Sequence, residues 1–352
     1  MSHRTQGRRR RSIRQAVLLT LAVTVLVAVA AVAPSASTAK GGGGDDIKIG
    51  LITKTETNPF FVKMKEGAQQ RAKALGVELM TAAGRFDGDN ASQVTAIENM
   101  VTAGVKAILI TPSDTKAIVP AIKKARARDV LVIALDTPTD PQSATDALFA
   151  TNNFTAGVLI GRYAKARFGN RTPRIATLDL APGITVGVLR HNGFLKGFGT
   201  RNVSSTAKTY ARDPRVVCSA DTQGDQAKGQ TAMENCLQRR PDINLVYTIN
   251  EPAAAGAYRA LRAAGKAKNV LVVSVDGGCA GVRNVRGGVI AATSQQYPLK
   301  MASLGVQAGF NYARSGKKVA GYTDTGVTLI TSRPAKGVPS KGVAFGLANC
   351  WG

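Results

Sequence analysis

The chain has 352 residues, enough for one large or two medium domains with sizeable cores, and a formal charge of +25 from 47 lysines and arginines against 22 acids. The cations are scattered along helical stretches, as in Lys123-Lys124-Ala125-Arg126-Ala127-Arg128 and from Arg259 to Lys268, which is the pattern of solvated faces. No DNA-binding motif or aromatic-studded basic face accompanies them, so the composition excludes nucleic acid as the partner and suits the anionic envelope outside a membrane.

Residues 1–15 carry Arg4, Arg8, Arg9, Arg10, Arg11 and Arg14 and no acid. An apolar run from Ala16 to Ala33, broken by Thr20 and Thr24, leads to Ser37-Thr38-Ala39. This is the layout of an export signal over residues 1–39, cut after Ala39. An uncleaved anchor is the rival reading, because the 18-residue run just spans a bilayer. The absence of a cysteine near the cut excludes a lipid anchor. Residues 40–46, with four consecutive glycines, form a flexible leader. Without the six arginines of the signal the charge of +25 falls to +19. The mature chain is expected in the periplasm, outside the cell or on its envelope.

The first predicted strand, Ile47-Lys48-Ile49-Gly50-Leu51-Ile52, runs within a few residues into Asn58-Pro59-Phe60-Phe61 and a helix. Pro59 fits the first helical turn, where its missing N–H is no loss. Asn58 can cap that helix or offer a donor and an acceptor to a ligand hydroxyl. Phe61, Met64, Ala68, Ala72 and Leu75 recur at helical spacing and should face the core. Phe60 lies about a quarter turn off that stripe, which frees its ring to face a ligand.

Further strand-like runs follow at 77–81, 106–110 and 130–135, then at 174–178, 206–210, 244–248, 270–275 and 288–293, with helical patterns between them. Gly76, Gly104 and Gly265 close helices just before the next strand, as a left-handed C-terminal cap requires. The nearly unbroken apolar runs Val105 to Ile110 and Val270 to Val275 suit parallel strands buried on both faces. The expected class is α/β, a doubly wound parallel sheet in two copies, with ligands beyond the carboxyl ends of the strands.

Polar residues gather at those ends. Asn58 follows the first strand, Asp136 follows Leu131 to Leu135, and Asn152-Asn153 follows Ala147 to Thr151. In the second half Asn250-Glu251, Asp276 and Gln295-Gln296 follow Leu245 to Ile249, Val273 to Val275 and Ile290 to Ser294. Each alone is ordinarily a helix N-cap. Their recurrence in both halves points to a site of amides and carboxylates, which grip adjacent hydroxyls while aromatic faces cover the apolar side of a sugar ring.

Cys218, Cys236, Cys279 and Cys350 form an even set, all in the second half, with no metal-ligand spacing. An oxidising compartment implies two disulfides, and of three connectivities Cys218–Cys236 with Cys279–Cys350 is favoured, the second pinning the tail. Neither a nucleophile turn nor a phosphate loop is present, and His191, at a helix start, reads as structural. Asp136 and Asp276 could be taken for a glycosidase pair. They follow strands of different halves, however, and nothing in the sequence raises either pKa, so a catalyst is not expected.

The order of motifs resembles the ribose-binding-protein family of bacterial periplasmic-type binding proteins, the sugar-binding components of ABC importers. The resemblance spans roughly Ile47 to Ile330. It rests on Asn58-Pro59-Phe60-Phe61, Thr111-Pro112-Ser113-Asp114, Leu135-Asp136, Thr151-Asn152-Asn153, Arg190-His191-Asn192-Gly193-Phe194, Asn250-Glu251, Val275-Asp276-Gly277 and Gln295-Gln296-Tyr297-Pro298. The chain looks closest to members that take fructose and similar sugars. The resemblance implies sugar contacts at Asn58, Phe60, Phe61, Asp136, Asn250, Asp276 and Gln296. Three positions depart from the pattern: Thr137 and Val188 stand where the family has arginines, and the third stacking ring falls near Gly224. A sugar other than ribose, or a larger one, would then be held by Arg190, Asp225 or Gln295, with Asn152 also at the cleft.

The resemblance further implies a type I periplasmic binding protein with a hinge of several crossings. Its first lobe would comprise 47–151 and 297–325, its second 152–296 and 326–352. It would act without a cofactor or metal, as a monomer, closing on one monosaccharide and docking on a membrane permease. A sensor presenting its ligand to a membrane receptor is the alternative.

Overall fold

The computed structural model describes residues 47–352; the export signal, its cut and the glycine-rich leader lie outside the described residues. In chain order the elements begin with β1 (Lys48–Thr53), α1 (Pro59–Leu75), β2 (Glu78–Ala83), α2 (Asn90–Thr102), β3 (Ala107–Ile110), α3 (Val119–Arg126), β4 (Leu131–Leu135) and β5 (Ala147–Ala150). A second series has α4 (Asn153–Phe168), β6 (Ile175–Asp179), α5 (Thr185–Phe198), β7 (Val216–Asp221), α6 (Gln226–Arg239) and β8 (Leu245–Thr248). It continues through α7 (Glu251–Ala263), β9 (Leu271–Asp276), α8 (Cys279–Arg286) and β10 (Ala292–Gln295). Then come α9 (Pro298–Ser315), β11 (Gly321–Asp324), β12 (Thr328–Thr331) and α10 (Val343–Asn349).

These strands form two sheets, ordered β11-β5-β4-β3-β1-β2 and β12-β10-β9-β8-β6-β7. All pairings in the first are parallel, and in the second only β12 runs antiparallel, against β10. The central strands β3 and β4 are buried along their whole length, since helices cover both faces. The chain passes between the sheets three times, after β5, after β10 and between β11 and β12. Each sheet therefore finishes on a strand contributed by the far end of the chain.

Two predicted strands differ from the structure. Residues 206–210 are loop, and the edge strand is β7, further along. The Asn192 side chain takes up the backbone of this loop, donating to the Thr209 carbonyl and accepting from the Ala211 N–H, so no neighbouring strand is needed. The apolar run 288–293 begins as the turn that ends α8, where the N–H groups of Val289 and Ile290 both reach the Asn284 carbonyl. Strand β10 starts only at Ala292.

Close helix packing positions the centre of the molecule. A Cβ on Gly157 or Gly161 of α4, or on Gly193 or Gly197 of α5, would meet backbone atoms of the other helix at 2.1–2.2 Å. Only glycine permits this approach, which brings Asn153 at the start of α4 onto Arg190 in the middle of α5, 2.7 Å from Oδ1 to Nε.

Candidate functional site

A small cavity lies between the two sheets. Lys54, Asn58, Phe60, Phe61, Asp87 and Asp136 line it from the first lobe, and Leu180, Val186, Arg190, Ile249, Asn250 and Asp276 from the second. Half of them sit at the carboxyl ends of β1, β4, β6, β8 and β9, where a doubly wound sheet leaves room for a ligand.

Arg190 is the centre of the charge arrangement. Its Nη1 donates to Asp276 Oδ1 at 3.3 Å and to the Ile249 carbonyl at 3.1 Å, and its Nη2 lies 3.6 Å from Asp136 Oδ1. Gln296 Nε2 also donates to Asp276 Oδ1, at 2.8 Å. Burial pushes the Asp276 carboxyl up to about 7, with Arg190 and Gln296 pulling the other way. Here the structure corrects the sequence reading, which saw nothing to raise this pKa. Asp136 Oδ1 is buried without a hydrogen-bond partner in the cavity wall, an acceptor suited to a ligand's hydroxyl, and Gln296 Oε1 behind it is unpartnered as well.

Both aspartates occupy positive-φ backbone, Asp136 at 61° and Asp276 at 131°. Such conformations persist where surroundings over-determine them. For Asp276 the surroundings are explicit. Glu251 accepts from the Gly277 and Gly278 N–H groups and from the Thr293 hydroxyl. Gly277 itself cannot be replaced, because a Cβ there would come within 2.3 Å of Gln295 Cα. Burial, with Asp276 adding repulsion, pushes the Glu251 carboxyl up to about 8.

The aromatic wall is larger than the sequence indicated. Phe60 is buried rather than free, meeting Phe61 edge-on at 5.4 Å and Trp351 at 5.4 Å. Lys54 sits over the Phe61 ring and 3.6 Å from Asp87, both charges buried. Burial raises the Asp87 carboxyl despite that lysine.

The structure separates the sequence candidates. Asn58 serves both readings: its Oδ1 caps α1 at the Phe60 N–H while the residue lines the cavity. Asn250 caps α7 and spends its Nδ2 on the Gly224 carbonyl. Gln296 does not line the cavity and reaches it through Asp276. Two expected residues stand outside this cavity. Asn152 caps α4 at a crossing, outside the cavity, and it is Asn153 that touches Arg190. Asp225 caps α6, its Oδ1 accepting from the Lys228 N–H, and borders the outer chamber rather than the inner cavity. Gln295, the other alternative holder, is turned away onto the carbonyls of Gly277 and Gly346. His191 bridges Asp179 and the Ala211 carbonyl, a structural role as expected.

Sequence reasoning missed Lys54, Asp87 and Trp351, and of the pair Asn152-Asn153 it carried only the first into the site. Lys54 had a signal, as a cation just beyond the apolar stretch Ile49 to Ile52 of the first strand. Trp351 had one as well, being the single tryptophan and adjacent to a cysteine.

Two doubly wound lobes around a polar, ring-walled cleft define a type I two-lobed solute-binding protein. Residues 49–318 match the periplasmic binding protein domain family, and the chain belongs to that family. It is 30% identical over 274 residues to the ribose import binding protein RbsB of Bacillus subtilis, covering 78% of this chain and 84% of the relative. The D-allose-binding periplasmic protein of Escherichia coli is 27% identical over 275 residues, covering 76% and 85%. Among solved structures, an ABC transporter solute-binding protein of Agrobacterium vitis with bound D-fucose superposes with a TM-score of 0.71 at 28% identity, covering 81% and 95% of the chains. These relatives are binding proteins, and the chain is a binding protein rather than an enzyme.

Proposed function

We propose that the exported chain captures one monosaccharide, of the fructose or ribose type, between its lobes and delivers it to an ABC transporter permease. The observation that carries this reading is the meeting of Asp136 and Asp276, from opposite lobes, on the guanidinium of Arg190. In this reading Asn58, Asp136, Asp276, Arg190, Lys54 and Asp87 exchange hydrogen bonds with sugar hydroxyls, and Phe60 and Phe61 cover the ring. Asn250 and Gln296 hold the polar wall. Arg190 and Lys54 supply cations in a site whose family arginines are replaced by Thr137 and Val188, which favours a sugar other than ribose.

The chain would work as a monomer, its lobes closing about the three crossings with the ligand favouring the closed state. The likeness to RbsB and to the D-allose and D-fucose binders supports a sugar ligand and an importer partner. The test is a thermal-shift and calorimetric screen against fructose, ribose, xylose, glucose, galactose and inositol, with small-angle scattering of the best binder. One sugar should bind and compact the protein. Asp276→Ala should bind it at least about tenfold more weakly, since a lost partner in a closed cleft costs about 1–3 kcal/mol. Failure of every sugar, or hydrolytic turnover, would defeat the reading.

A further inference from the structure

We infer that Trp351 is a positioning residue of the sugar site, delivered there by the Cys279–Cys350 bond. The inference rests on the monosaccharide reading above. Trp351 is the penultimate residue, and the segment before it belongs to the second lobe: β12 pairs with β10, and Gly346 of α10 packs against Ile330 and Val282. Yet its ring is buried in the core of the first lobe. The tail thus adds a link between the lobes beyond the three crossings.

Three contacts fix the ring. Its indole N–H donates to the Gln296 carbonyl at 2.9 Å, its own carbonyl accepts from the Cys279 N–H at 2.9 Å, and its ring meets that of Phe60 nearly perpendicularly, at an interplanar angle of 79°. Gly278 makes room, since a Cβ there would lie 3.2 Å from the indole. Phe60 lines the cavity, and the Gln296 side chain holds Asp276. Trp351 therefore touches both the aromatic and the carboxylate side of the site through neighbours, without lining the inner cavity itself.

Trp351 also borders an adjoining chamber of about 600 Å³, together with Gly224. The tail brings an aromatic to that side of the cleft from a distant part of the sequence. The residue before Trp351 is covalently bound to α8, which starts three residues after Asp276, the last residue of β9.

The single tryptophan makes the test direct. The probe is D-fructose, or D-ribose where the wild type prefers it, titrated by calorimetry and by tryptophan emission. In the wild type the emission should change with a midpoint equal to the calorimetric Kd. Trp351→Ala and the paired change C279S/C350S should each raise Kd about tenfold or more, the scale of a lost anchor contact. Trp351→Phe should restore most of the affinity, which a merely structural role would not require. C218S/C236S should lower the melting temperature and leave Kd unchanged. Should Trp351→Ala not fold, the paired cysteine change and the emission titration decide. Wild-type Kd in either folded variant, or emission indifferent to a sugar that calorimetry shows bound, overturns the inference alone. A wild type that binds no sugar overturns the monosaccharide reading and this inference with it.

Discussion

Arg190 and Asp136 form an ion pair at 3.6 Å between opposite lobes, with side-chain exposures of 6% and 4%. The same guanidinium serves Asp276 within its own lobe, so one cation answers carboxylates on both walls. Removing it leaves those carboxylates facing each other in a buried site. Arg190→Ala should lower stability by about 3–5 kcal/mol, the cost of stranding a buried charge, and should abolish detectable sugar binding. Urea denaturation and calorimetry measure the two effects, and a loss below about 1 kcal/mol would mean that Arg190 is dispensable to the cleft.

Phe60→Ala should weaken sugar binding by about 1–3 kcal/mol. From the sequence alone the same change should barely affect folding. The structure revises this, because the ring is wedged between Phe61 and Trp351 in the first-lobe core. A cost to folding of about 3–5 kcal/mol is therefore expected too. Phe60→Tyr or Phe60→Leu, which keep most of the volume, should separate the effects; a Leu variant with full affinity would dismiss the ring as a sugar contact.

Titration of the denatured, unreduced protein should find no free thiol, because the cysteines pair as Cys218–Cys236 and Cys279–Cys350. The bonds close sequence separations of 18 and 71 residues. Chain-entropy arguments assign them about 3 and about 4 kcal/mol. Peptide mapping checks the pairing, and chemical denaturation of the single-bond variants checks the energies. Crossed peptides would contradict the fold at α8 and the tail.

Stability should fall as the pH rises from about 4 to about 8. Glu251 and Asp276 hold their protons to about 8 and about 7 in the folded protein, against ordinary values of 4.5 and 3.8. Folding therefore takes up protons in this window, and the stabilisation present at low pH is lost as each folded pKa is passed. His191 acts in the same direction: burial opposes its charge, yet Asp179 raises it above its ordinary 6.5. Asp89 and Asp213, both lowered by arginine partners, exert their opposite effect only in stronger acid. Urea melts between about pH 5 and pH 8.5 should show the decline, about 1.4 kcal/mol per unit for each such carboxyl. Glu251→Gln should flatten it, and a rise in stability across the window would contradict the buried protonated carboxyls.

The sequence by itself determined the two-copy α/β class, the polar strand ends and the preferred cysteine pairing. Unbroken apolar runs such as Val105 to Ile110 suit strands covered on both faces, and glycines such as Gly76 mark helix ends through backbone preference. These are local properties, and they survived folding. What the tertiary structure decided was which polar ends turn inward. Asn58, Asn152, Asp225 and Asn250 all cap helices, as local chemistry requires. Only the crossing of the lobes brings Asn58 and Asn250 to the cavity while leaving Asn152 and Asp225 outside it. Arg190 finds Asn153 because glycines let α4 and α5 approach, and Trp351 reaches Phe60 because a disulfide returns the tail to α8. Contacts between residues so distant in sequence have no period or spacing to announce them.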